Sequence, residues 1–128
     1  MKRITVAHQE GPYRIHAEVL FVGNDLVVSI WGGSKPHVGA VALSIPRPSL
    51  KNSTKISSTS SVLTRLGHKE DEIVKKVAEK ISATLNKVVV VSAGIHWDTI
   101  SDEGISTIHS VCEILTDRLI KGIRGKEE

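Results

Sequence analysis

The chain has 128 residues, 40% hydrophobic and 24% charged, with a formal net charge of +3, values that suit one soluble domain with a core of its own. A single cysteine, Cys112, excludes an internal disulfide and a cysteine-built zinc cluster. Aromatic residues make up only 3% of the chain and there is no long basic run, which disfavours a nucleic-acid module that stacks bases.

No apolar run approaches the roughly 18–20 residues needed to cross a bilayer. The first residues lack the apolar region of a secretory signal. The expectation is a cytoplasmic protein with no membrane and no nucleic-acid partner, one domain over residues 1–128, frayed at 1–2 and 122–128.

The first 46 residues read as strands. Ile4–His8 predicts one. Tyr13, Ile15, Ala17, Val19 and Phe21 then alternate with Arg14, His16, Glu18 and Leu20, the period of a half-buried strand. Gly11-Pro12 before it and Gly23-Asn24-Asp25 after it are turn chemistry, the second a tight hairpin into a strand at Leu26–Trp31. A fourth strand is expected at Val38–Ile45, ended by Pro46 and Pro48. Residues 49–61 are rich in serine and threonine and read either as a solvated loop or as a polar edge strand.

A helix follows from about Lys69 to Leu85. Glu70, Asp71 and Glu72 sit in its first turn, where the helix dipole favours acids. Ile73, Val77, Ile81 and Leu85, with Val74 and Ala78, form its apolar face, and Asn86 ends it. The bare run Val88–Val91 predicts a strand buried on both faces. Ser101 is a good N-cap for a second helix whose stripe is Ile105, Ile108, Val111, Cys112, Leu115 and Leu119, closed by Gly122. The order ββββ-(β)-αβα predicts an α+β two-layer sandwich, a mainly antiparallel sheet with both helices on one face. The strands at 26–31 and 38–45 are apolar at more than alternate positions, which favours a dimer covering the other face.

Three segments set a histidine beside a glycine at the edge of a regular element. In Gly32-Gly33-Ser34-Lys35-Pro36-His37-Val38-Gly39, the glycines serve either a plain hairpin or the close approach of a ligand to the backbone, with Lys35 as a cation and His37 as a donor. Gly67-His68-Lys69-Glu70-Asp71 opens the first helix, where free N–H groups suit a phosphate but the acids already answer the dipole. In Gly94-Ile95-His96-Trp97-Asp98, leaving the buried strand, His96 is a donor or base, Asp98 can orient a histidine, and Trp97 either packs for structure or covers a planar ring. His8, His16 and His109 give weaker signals, and Cys112 reads as an inert core thiol.

Taken in series, the segments 31–42, 67–71 and 92–98 resemble the prenylated-flavin chaperones, the small subunits encoded with gallate-type and other hydroxyarene decarboxylases. The resemblance spans about residues 10 to 120. It implies a fold related to the dimeric proteasome assembly chaperones, and a non-enzymatic protein that holds prenylated FMN (or FMN) and helps deliver it to a UbiD-type decarboxylase. The positions carried over are Gly33, Pro36, His37 and Gly39, then His68 and Lys69, then Gly94 and His96. Lys35 and Lys69 are candidates for the phosphate, Trp31 or Trp97 for the ring.

Two rival readings stand beside it. Three histidines (His37, His68, His96) with Asp98 or Glu70 match the donor set of a metal-dependent hydrolase, without any short metal-ligand spacing. An assembly chaperone or interaction module with no small ligand is the other.

Overall fold

A six-stranded sheet in the order β1-β2-β3-β6-β4-β5 is built from two pieces joined by a late strand. The computed structural model describes residues 2–65 and 70–127. β1 (Arg3–Glu10), β2 (Tyr13–Val22) and β3 (Asp25–Gly33) form an antiparallel meander. β4 (Ala40–Pro48) and β5 (Ile56–Thr64) form a hairpin. β6 (Val89–His96) enters between the two, parallel to β3 and antiparallel to β4.

α1 (Asp71–Leu85) packs on β4, β5 and β6, and α2 (Asp102–Glu127) on β1 and β2, so both helices lie on one face. This is the expected α+β arrangement. The core lies between the layers. Ile15, Ala17 and Val19 of β2, Leu26, Val28 and Ile30 of β3, and Val89, Val91 and Ala93 of β6 meet Ile81 of α1 and Leu115, Leu119 and Ile123 of α2. Each fully buried Ile, Leu or Val contributes roughly 1.5–3 kcal/mol over its exposed state. No helix among the described residues is long and apolar enough to cross a membrane.

Several boundaries depart from expectation for identifiable reasons. β4 continues through Pro46 and Pro48. Its pairing with β6 ends at Ser44, so beyond that point β4 has a neighbour on one side only, where a missing N–H costs little. The polar segment resolves as strand β5, at the edge of the sheet, where a serine-rich outer face is tolerated. β6 is longer than its bare valine run and carries Gly94, Ile95 and His96 inside the strand. Gly122 does not close α2, which continues to Glu127. A methyl at Gly122 would press on Ile4, so this glycine lets the helix lie close to β1. Asn86 does end α1, in the left-handed conformation with φ 56°. Ser101 caps α2, its Oγ accepting from the Gly104 N–H at 3.0 Å.

The other sheet face is open. The register aligns Leu20, Val27, Val90 and Leu43 across four strands, with Val41 and Leu63 alongside. Val27, Leu43 and Leu63 are exposed there.

Candidate functional site

Because β6 lies between β3 and β4, the connection from β3 to β4 must cross its end. Residues 34–39 make that crossing, clipped at both ends: the Ser34 N–H donates to the His96 carbonyl and the Gly39 N–H to the Ala93 carbonyl, each at 2.8 Å. The crossing is close enough that a methyl at Gly94 would overlap the His37 carbonyl. At Gly33, φ is 84° and a methyl would overlap the His96 carbonyl. These two glycines are required by the chain's own backbone.

The first and third glycine–histidine segments meet here with Glu70 and Asp71, the described residues of the second. His37 Nε2 lies 3.1 Å from Glu70 Oε1, at the head of α1. Its Nδ1 lies 2.8 Å from the Lys35 carbonyl, so both ring nitrogens face oxygen acceptors. Glu70 is buried and also accepts from the Ile95 N–H of β6 at 3.3 Å. Gly39 packs against the Glu70 carboxyl. One carboxylate therefore ties the crossing loop, β6 and α1 together. Sequence reasoning treated Glu70 as a dipole acid or a metal ligand; its actual partners come from distant segments that no local pattern marks.

The remaining candidates are placed as follows. His96 Nε2 lies 3.0 Å from Asp98 Oδ1, the orienting contact expected of that pair. Trp97 packs edge-on against Tyr13 at 5.1 Å and 82°. Lys35 is exposed on the loop. His68 and Lys69 lie outside the described residues. His37 and His96 have separate carboxylate partners, and the described residues hold no group of three or more His, Cys, Asp and Glu side chains placed to share a metal ion.

The crossing loop borders two clefts. On the helix side, a cleft of about 610 Å³ is floored by Ile73, Ile95 and Ile108 and edged by His37, His96 and Glu70. On the open-sheet side, a cleft of about 320 Å³ runs along Trp31, Gly33 and Pro36. Trp97 lines both. The second includes Arg14 and His16, which drew little attention in the sequence; His16 is opposite Trp31 in the register and stacks on it at 5.5 Å and 10°.

Comparisons with known proteins identify the family and the fold. A family model described as the prenylated flavin chaperone LpdD-like domain matches residues 9–124. Protein LpdD of Lactiplantibacillus plantarum is 23% identical over 121 residues, which cover 94% of this chain and 85% of that protein. A chain from a chaperone complex for yeast 20S proteasome assembly shares the fold, with a TM-score of 0.59 at 12% identity, over 93% of this chain and 96% of that one. The matched region takes in the crossing loop, both flanking clefts and all but the last residues of α2. The chain belongs to the LpdD-like prenylated flavin chaperones, a family of chaperones and not of enzymes.

Proposed function

We propose that this protein holds prenylated FMN at the crossing loop and helps deliver it to a UbiD-type decarboxylase in the cytoplasm. The observation that carries the reading is the convergence of segments 33–39, 70–71 and 94–98, distant in sequence, at one end of the sheet. The proposed contact and positioning residues are Gly33, Lys35, Pro36, His37, Gly39, Gly94, His96 and Trp97; His68 and Lys69, outside the described residues, belong to the same proposal. Gly33, Gly39 and Gly94 act by letting the loop lie where it does, and Lys35 and Trp97 by facing the ligand.

The reading includes a homodimer. The apolar stripe on the open sheet face is the surface a second copy would cover.

The test is a tryptophan-quench titration with prenylated FMN, with FMN and AMP as controls. Saturable quenching that is weaker with FMN and absent with AMP is expected. His37→Ala and His96→Ala are expected to weaken binding by up to about tenfold each, by loosening the end of the sheet against which the crossing loop is held. If wild-type protein shows no binding, the role shifts to protein assembly without a small ligand. If both variants bind like wild type, the loop histidines are structural only.

A further inference from the structure

We propose that the flavin is seated on the open-sheet side of the crossing loop, its ring against Trp31 and His16 and its phosphate on Arg14. This deepens the prenylated-flavin reading and rests on it. It assigns roles to two β2 residues, Arg14 and His16, and it excludes the larger cleft on the helix side.

Charge separates the two clefts. The helix-side cleft is edged by Glu70, Asp71 and Glu72. A phosphate dianion placed there meets like charge in a partly desolvated setting, which costs more than in water. The open-side cleft is lined by Arg14 and His16 and by no carboxylate. Three other surface clefts each carry at least one acid: Glu113, Asp117, and Glu10 with Glu103. None of the ion pairs among the described residues involves Arg14, which is exposed.

Shape points the same way. His16 stacks on Trp31 within 10° of parallel, so the two rings form one aromatic wall on the open sheet face. On its β6 side Trp31 is registered opposite Gly94, where the His37 backbone fills the space a side chain would take. The crossing loop walls that side with Pro36, and Trp97 closes the end. A cleft of about 320 Å³ is at the small end of ligand sites, so it takes a ring and leaves much of the ligand in the open. Shallow seating suits a carrier that must release its cargo. Trp31 is four residues along β3 from Val27, about 13 Å at 3.3 Å per residue, so the seat lies beyond the centre of the apolar stripe.

The experiment is anaerobic titration calorimetry with prenylated FMN and with the same compound after phosphatase treatment. Arg14→Gln is expected to weaken the phosphorylated ligand about tenfold and leave the dephosphorylated one unchanged. His16→Ala and Trp31→Leu are expected to weaken both. Ile105→Asp, on the already exposed rim of the helix-side cleft, is expected to change neither. His16→Ala carries the ring assignment if Trp31→Leu fails to fold. Wild-type affinity in Arg14→Gln and His16→Ala, or loss of binding in Ile105→Asp alone, overturns the seat while leaving the flavin reading in place. Absence of wild-type binding overturns both.

Discussion

At Gly94 the chain has no room for a side chain, because the His37 carbonyl of the crossing loop occupies the space a methyl would need. Gly94→Ala should therefore lift the loop and cost about 3 kcal/mol, the upper part of the usual overpacking range. A thermal melt measures the cost, and the flavin titration should show weaker binding in the same variant. An unchanged melting temperature would mean that the loop yields freely. Cys112 makes a second residue-scale case. Burial pushes its thiol up from 9.0 to about 12. The folded chain thus keeps a proton that the unfolded chain loses, so this group leaves stability unaffected below pH 9 and lowers it as pH rises from 9 towards 12. A disulfide reagent at pH 8 should label the thiol only after denaturant is added. Rapid labelling of folded protein would contradict the core placement.

Glu70 links three elements, and its loss should be felt as more than one missing contact. Glu70→Ala leaves the Ile95 N–H without its acceptor and should cost about 1–3 kcal/mol. Glu70→Gln keeps an acceptor oxygen and should recover most of that, as denaturant midpoints will show; equal losses would mean that the charge facing His37 matters more than the N–H bond. Much at this scale was readable beforehand. The alternation in β2, the apolar faces of both helices, Asn86 as a stop and Ser101 as a cap all follow from local period and local chemistry. The misreadings have one origin. Pro46, Gly94 and Gly122 each look like terminators, yet each is set by a neighbour from elsewhere: the absent β6 flank, the crossing loop and Ile4. The stack of His16 on Trp31 was equally hidden, because it depends on a register between two strands, and the Glu70 contacts depend on a strand order that local pattern does not encode.

The whole molecule presents one armoured face and one bare one. If the bare face is a contact between copies, Leu43→Asp should shift the protein from dimer to monomer in sedimentation equilibrium without altering its helical circular dichroism. A wild-type monomer, or a variant that still dimerises, would send the contact elsewhere. The position of β6 carries a further consequence for how the chain is made. The meander and the hairpin are both synthesised before residues 89–96, yet each needs that strand to cover an edge, β3 on one side and β4 on the other. A nascent chain that has not yet reached Val89 therefore carries two open sheet edges at once. Final assembly waits on contacts distant in sequence, which slow folding and expose the chain to misassociation. The strand that brings residues 33–39, 70–71 and 94–98 together is also the one that completes the sheet, so the proposed ligand site cannot form before the fold is finished.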